Sequence, residues 1–159
     1  MTDNIVIAGF GGQGILFAGK ILAYAALVKG KYLSWLPSYG PEMRGVTAIC
    51  HVIISDEPVG SPIITEPNIL ISMNKPSLEK FENDVVAGGT IIYDSSLIDR
   101  KVERDDVKVC AVDATAIATN EAKPNMANMI MLGALLKATN IFTLEDIRAG
   151  VEKAVPPTK

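Results

Sequence analysis

A glycine-rich turn, Gly9-Phe10-Gly11-Gly12-Gln13-Gly14, separates the apolar run Ile5-Val6-Ile7-Ala8 from a helix-spaced apolar stretch between Ile15 and Val28. Strand, tight turn, helix: this succession constrains the fold more than any other feature of the chain. Glycine lets the backbone turn sharply, adopt positive φ and approach a ligand with no Cβ in the way. A turn that opens a helix also aims free N–H groups and the positive end of the helix dipole at whatever lies above it. Phosphate, pyrophosphate or carboxylate is the natural guest. Gly9, Gly11 and Gly14 match Gly-x-Gly-x-x-Gly in the context that a dinucleotide site requires. Such a site also needs an acidic residue roughly 20 residues on to hold the ribose hydroxyls. Here that region reads Tyr32-Leu33-Ser34-Trp35-Leu36-Pro37-Ser38, with neither a carboxylate nor an arginine. NAD(P) is therefore disfavoured. Two readings stay open: a turn used only for close helix–sheet packing, and a cradle for a phosphate-bearing ligand other than NAD.

The 159 residues suffice for one domain with its own core. Apolar residues make up 48% of the chain and the net charge is −3, which excludes binding to nucleic acid through bulk positive charge. With 6% aromatic residues, stacking platforms for single strands are few. The N-terminus has no basic, signal-like segment, and no apolar stretch reaches the roughly 18 residues of a membrane span. Cys50 and Cys110 each lie in an apolar strand-like run, as expected of buried free thiols in a reducing cytoplasm. The single histidine, His51, fits a strand-surface or core position better than a metal ligand or base.

Apolar runs of strand length alternate with helix-period stretches. The expected strands are Asn4–Ala8, Tyr32–Trp35, Thr47–Ile54, Ile69–Met73, Thr90–Tyr93 and Val107–Val112. The expected helices are Ile15–Val28, Ser77–Asp84, Ala114–Asn120, Met126–Ala138 and Leu144–Lys153. The strands are rich in Ile and Val without clean polar alternation, as when both faces of a sheet are covered. The pattern predicts an α/β fold: three layers, a mostly parallel sheet with helices on both faces, Rossmann-like. Ser77 is a candidate cap for the second helix. Thr143, three residues ahead of Asp146, makes a near capping box for the last. The stretch Met126–Leu136 is apolar nearly all round and so is expected to be buried on more than one side, either wholly in the core or with part of it facing a partner subunit.

A second stretch, Ser38-Tyr39-Gly40-Pro41-Glu42-Met43-Arg44-Gly45, follows the second strand and falls at the same sheet edge as the glycine turn. Ligands of open α/β sheets bind along that edge. Arg44 offers a forked cation for phosphate or carboxylate, Tyr39 a phenol and Glu42 a carboxylate. Glu42 and Arg44 can equally pair with each other or face a partner. Met73-Asn74-Lys75-Pro76-Ser77 ends the fourth strand, with Asn74 and Ser77 able to bond a ligand or simply to shape a turn. Tyr93-Asp94-Ser95-Ser96 ends the fifth strand and reads equally as a cap. No cysteine series for an iron–sulfur cluster, no Ser-His-Asp set, no metal-spaced ligand cluster and no Walker-type loop is present. A ligand edge without a catalytic engine points to a subunit that completes another chain's active site.

Taken together, Gly9–Gly14, Ser38–Gly45, Met73–Ser77 and Asn125-Met126-Ala127-Asn128-Met129-Ile130-Met131-Leu132-Gly133-Ala134 resemble the gamma subunits of 2-oxoacid:ferredoxin oxidoreductases over nearly the whole chain. Among these the resemblance leans to those acting on 2-oxoglutarate. It implies a subunit of an enzyme that converts a 2-oxoacid, coenzyme A and oxidised ferredoxin to acyl-CoA, carbon dioxide and reduced ferredoxin. Thiamine diphosphate and iron–sulfur clusters would then sit on other subunits, with no cofactor, catalytic residue or metal ligand carried by this chain alone. The partners implied are alpha, beta and a ferredoxin-like delta subunit in the cytoplasm, with ferredoxin as acceptor and neither nucleic acid nor membrane. The isolated chain would be inactive and prone to self-association. Gly11, Gly12, Gln13 and Gly14 would approach a phosphate of coenzyme A, Arg44 would supply charge, and Ser38, Tyr39, Glu42 and Asn74 would complete the site. Two departures are visible: Val46 replaces a second glycine after Arg44-Gly45, and the single domain over 1–159 stops where the family continues. A stand-alone NAD(P)-binding oxidoreductase and a purely structural subunit are the alternatives.

Overall fold

Ile5, Val6, Ile7 and Ala8 are each fully buried, so the first strand must be covered on both faces and flanked on both edges. The computed structural model describes residues 2–10, 14–39, 47–61, 63–99, 102–121 and 126–154. In it β1 (Thr2–Phe10) lies inside a six-stranded sheet with β2 (Tyr32–Tyr39), β3 (Thr47–Ser55), β4 (Ile69–Ser72), β5 (Thr90–Asp94) and β6 (Lys108–Val112). The strand order is β2-β3-β1-β4-β5-β6. β1, β4, β5 and β6 pair in parallel, and β3 runs antiparallel to both β1 and β2. Only β3 therefore opposes the other strands, and the carboxyl ends of β1, β2, β4, β5 and β6 share one edge.

Alternation along β1 sends Ile5 and Ile7 to one face and Val6 and Ala8 to the other. The first face carries the larger core. There Ile54, Ile71 and Ile92 meet α1 (Ile15–Val28), α3 (Ala114–Asn120), α4 (Ala127–Thr139) and α5 (Leu144–Ala154). The second face is covered by α2 (Lys75–Phe81), which brings Leu78 and Phe81 onto Val6, Leu70 and Ile91. A 3-10 turn, Glu82–Asp84, continues that helix. The remaining cover of this face is loop. Ile64 packs against it, held by its N–H donating to His51 Nδ1 at 2.9 Å. His51 is thus a half-buried strand histidine, and burial lowers its pKa.

The expected elements are present, with shifts that have local causes. β2 runs four residues beyond the expected Trp35, because β3 pairs with it as far as Tyr39 opposite Ala48. α2 is capped by Asn74 rather than Ser77: Asn74 Oδ1 accepts the Ser77 N–H at 2.9 Å, and Pro76 sits in the first turn. Cys50 is buried as expected, but Cys110 is only half-buried because β6 is an edge strand. The capping box of α5 is reciprocal. Asp146 N–H donates to Thr143 Oγ1 at 3.2 Å and Thr143 N–H to Asp146 Oδ2 at 2.9 Å. Asp146 also meets Lys29 just past α1, so its carboxyl is held below the usual range, first by the Thr143 N–H.

α5 crosses α1 at Gly150. A Cβ built there would stand 2.6 Å from the Ile21 carbonyl oxygen and 3.1 Å from the Ala25 nitrogen. Both are backbone atoms of α1, which cannot swing aside. Gly150→Ala is accordingly expected to cost about 1–3 kcal/mol, read as a lower urea midpoint with an unchanged slope.

Candidate functional site

The chain leaves β1 and β4 toward opposite faces of the sheet: α1 packs on the first core and α2 on the second. Parallel neighbours whose following helices diverge leave a crevice at their carboxyl ends. Here its mouth is drawn tight, since Met73 N–H donates to the Ala8 carbonyl at 2.8 Å. The start of the glycine turn and the Asn74–Ser77 segment consequently stand side by side.

On the β1 side, Gly14 adopts the left-handed conformation, φ 77° and ψ 27°, and serves as N-cap of α1. Its carbonyl receives the Ala18 N–H at 3.0 Å and the Asn128 amide, Nδ2 donating, at 3.2 Å. A Cβ on Gly14 would lie 2.4 Å from that Nδ2. Both the sign of φ and the space demand glycine at this position. Gly14 offers no side-chain cap to α1, whose first N–H groups have no acceptor within the helix.

On the β4 side, Asn74 and Ser77 are 2% and 1% exposed. The Asn74 oxygen is committed to capping α2, which fixes the amide so that Nδ2 points away from the helix. Asn74 Nδ2 and Ser77 Oγ have no hydrogen-bond partner among the described residues. Ser72 Oγ, alongside, is satisfied by donating to the Asn74 carbonyl at 2.9 Å. A buried donor without a partner costs about 1–3 kcal/mol. Two such groups beside a helix-opening glycine turn fit a guest rich in acceptor oxygens, such as phosphate.

The next loop along the edge is structural. Asp94, fully buried, accepts from Ser96 N–H at 3.0 Å, Thr115 N–H at 3.2 Å and Thr115 Oγ1 at 2.5 Å, tying β5 to the start of α3. Ser96 Oγ accepts the Ala116 N–H, and Ser95 bonds Asp113. The hydroxyl-rich end of β5 is thus the cap that one of its two sequence readings describes.

Of the expected site residues, Gly14 opens the helix that follows β1 and Asn74 the helix that follows its neighbour β4. Ser38 and Tyr39 end β2, their backbones opposite Ile49 and Ala48. Since Phe10 pairs with Thr47, the end of β2 and the start of β3 lie at the edge from which the glycine turn departs. Gly11, Gly12, Gln13, Glu42 and Arg44 lie outside the described residues. Sequence reasoning assigned no role to Asn128, although an asparagine within an otherwise apolar stretch is itself a signal. Cys50 offers no nucleophile: burial pushes its thiol up to about 12, against a smaller opposing effect of a hydrogen bond with Trp35. A hollow of about 340 Å³ lined by Thr2, Asn4, Ser55, Glu57 and Glu66 sits where β1 begins and β3 ends, at the opposite edge. Its two carboxylates make it a poor host for an anion. Among the described residues no helix is long and apolar enough to cross a membrane.

The family model for pyruvate ferredoxin/flavodoxin oxidoreductase matches residues 4–159. The ketoisovalerate oxidoreductase subunit VorA of Methanothermobacter thermautotrophicus is 45% identical over 133 residues, spanning 84% of this chain but 28% of that protein. The match thus spans less than a third of that relative's length. The 2-oxoglutarate synthase subunit KorC of Methanocaldococcus jannaschii is 39% identical over 159 residues, covering 98% of this chain and 85% of its own. Among solved structures, the keto/oxoacid ferredoxin oxidoreductase gamma subunit from Geobacter sulfurreducens superposes with a TM-score of 0.83 at 30% identity, covering 98% of this chain and 88% of that one.

The capping and donating ends of Asn74 can be separated. Asn74→Ala removes the cap and is expected to lower stability by about 1 kcal/mol, whereas Asn74→Ser keeps a capping oxygen and should lose less than half as much. Paired urea titrations measure the difference.

Proposed function

The chain belongs to the pyruvate ferredoxin/flavodoxin oxidoreductase family and has the fold of a keto/oxoacid ferredoxin oxidoreductase gamma subunit; from that premise we propose that it completes the coenzyme A side of a 2-oxoacid:ferredoxin oxidoreductase. The observation that carries this reading is the crevice itself. The helix that follows β1 opens behind a left-handed glycine with no side-chain cap, and the segment that follows the neighbouring strand β4 carries two buried donors without a partner among the described residues. Coenzyme A brings a pyrophosphate and a ribose phosphate, and therefore a surplus of acceptor oxygens, to such a place.

In the overall reaction a 2-oxoacid loses carbon dioxide, its acyl group passes to the thiol of coenzyme A, and two electrons pass to ferredoxin. Thiamine diphosphate supplies the means of cleaving the bond to the carboxylate, and iron–sulfur clusters the path for electrons; both belong to partner alpha, beta and ferredoxin-like delta subunits in the cytoplasm. The work of this chain is to bind and orient. The N–H groups opening α1, Asn74 Nδ2 and Ser77 Oγ hold phosphate oxygens. Gly11, Gly12 and Gln13 extend the cradle, and Arg44 adds a bidentate cation, with Ser38, Tyr39 and Glu42 shaping its approach. The isolated chain is inactive in this reading.

We assign 2-oxoglutarate as the acid. In support, the KorC likeness runs over 98% of this chain and 85% of that subunit. The VorA likeness reaches only 28% of a longer one. Recovery of thiamine-diphosphate and iron–sulfur subunits with this chain from an anaerobic extract would support the assembly, and assay of that complex against 2-oxoglutarate, 2-ketoisovalerate and pyruvate would rank the acids.

In the assembled complex, Arg44→Ala and Asn74→Ser are each expected to raise the coenzyme A KM about five- to tenfold, as for loss of one charged or buried hydrogen bond. The KM for the 2-oxoacid should stay put. An unchanged coenzyme A KM in both variants, with subunit composition intact, would overturn the assignment of these residues.

A further inference from the structure

Asn128 is a polar side chain in a place that hydrophobic packing alone would fill differently. It is 5% exposed and lies in the first turn of α4, whose Met131, Leu132 and Leu135 run into the main core. Burying an amide there is costly unless both of its ends are used. Both are: Oδ1 accepts the Met129 N–H at 2.9 Å, and Nδ2 donates to the Gly14 carbonyl at 3.2 Å. The two bonds together fix which way round the amide stands, because a flip would set Nδ2 against the Met129 N–H and Oδ1 against the Gly14 carbonyl.

We propose that Asn128 is a positioning residue for the glycine turn, acting through Gly14 without touching the guest; the proposal rests on the reading of that turn as a ligand cradle. The peptide unit joining Gly14 to Ile15 is planar and trans, so its C=O and N–H point in opposite directions. The carbonyl is directed down α1, where it meets Ala18. The Ile15 N–H, which has no acceptor within the helix, therefore points the opposite way, off the N-terminal end of α1. A second bond from Asn128 holds the plane of this unit, and with it the direction of that donor. The fit is reciprocal. The space for a Cβ at Gly14 is taken by the Asn128 amide at 2.4 Å, so α4 closes on the turn only because residue 14 is glycine. Loss of the Asn128 bond leaves the Gly14 carbonyl satisfied by Ala18, so the helix survives and only its aim loosens.

The test is Asn128→Leu, which keeps the branching at Cγ and the number of heavy atoms but has no donor, assayed in the complex with its partner subunits. The expected result is a coenzyme A KM raised about five- to tenfold, the size of one lost hydrogen bond. The kcat at saturating coenzyme A and the 2-oxoacid KM should be unchanged, and the Tm at or above that of the native chain. A purely structural role predicts no such split, and a coenzyme A KM unchanged in Asn128→Leu overturns the proposal. Asn128→Asp, which keeps the shape and also lacks a donor to the carbonyl, gives the same reading should the leucine variant not assemble. Gly12→Val distinguishes the two levels of inference. If it raises the coenzyme A KM while Asn128→Leu does not, the cradle stands and the role of Asn128 falls; if neither changes it, the cradle reading falls as well.

Discussion

The bond from Met73 N–H to the Ala8 carbonyl closes the parallel pairing of β1 and β4, and the crevice depends on it. The register behind it runs from Ile5 opposite Ile69 to Ala8 opposite Ser72. A slip of one residue would exchange the two faces of β4 and send its core residues to the wrong layers. With the register held, both strands end level, and the segments that follow must part to opposite faces. The site is therefore a consequence of sheet register before it is a property of any side chain. β3 reinforces the arrangement from the other edge, pairing with β1 from Thr2 opposite Ser55 to Phe10 opposite Thr47. The central strand is locked along its whole length, and the turn departs from a rigid end.

The two faces of the sheet are unequally covered. α1, α3, α4 and α5 form a continuous helical layer on one side, while α2 shares the other with loop residues such as Ile64 and Ile98. The heavier layer holds α1 in place where it matters. Gly150 lets α5 press against the α1 backbone, and the Lys29–Asp146 pair joins the end of α1 to the start of α5. That pair is partly solvated and contributes little by itself, so the close crossing and the apolar contacts carry the attachment. Asn128 adds α4 to the other end of α1. The glycine turn is thus attached to a helix that is itself fixed at both ends.

Much of this was legible in the chain, because it depends on local patterns. The stretch from Ile15 to Val28 and that from Ala114 to Asn120 form helices over the residues that apolar spacing marks. Thr143 and Asp146 form the box that their separation suggests. What stayed hidden depends on distant partners. The extension of β2 to Tyr39 exists because β3 is there to pair with it. The preference for Asn74 over Ser77 as cap turns on where Pro76 places the first turn. Asn128 and Gly14 are far apart in sequence, and no local period could join them. Of the site, the glycine turn and the Asn74 segment could be read in advance as belonging to one edge. That Asn74 spends its oxygen on α2 and keeps its nitrogen free could not.

Among the described residues, eight polar or charged side chains are buried, and five of them, Ser72, Asn74, Ser77, Asp94 and Asn128, lie at the carboxyl edge. Polar burial in an otherwise apolar core is tolerated where each group finds a partner. Ser72, Asp94 and Asn128 do so within the chain, with bonds that tie strand ends and helix starts together. Asn74 and Ser77 are the pair left with unspent capacity, at the point where the strands' following helices diverge. A fold needing only stability would have placed apolar groups there, since an unmet donor is a net cost. The same edge thus carries two kinds of polarity. One kind is consumed internally and makes the rim stiff; the other is buried without a partner among the described residues, and in the proposed reading an acceptor-rich guest meets it. A stiff rim matters to the second kind, because donors already held in place lose little freedom when they bind.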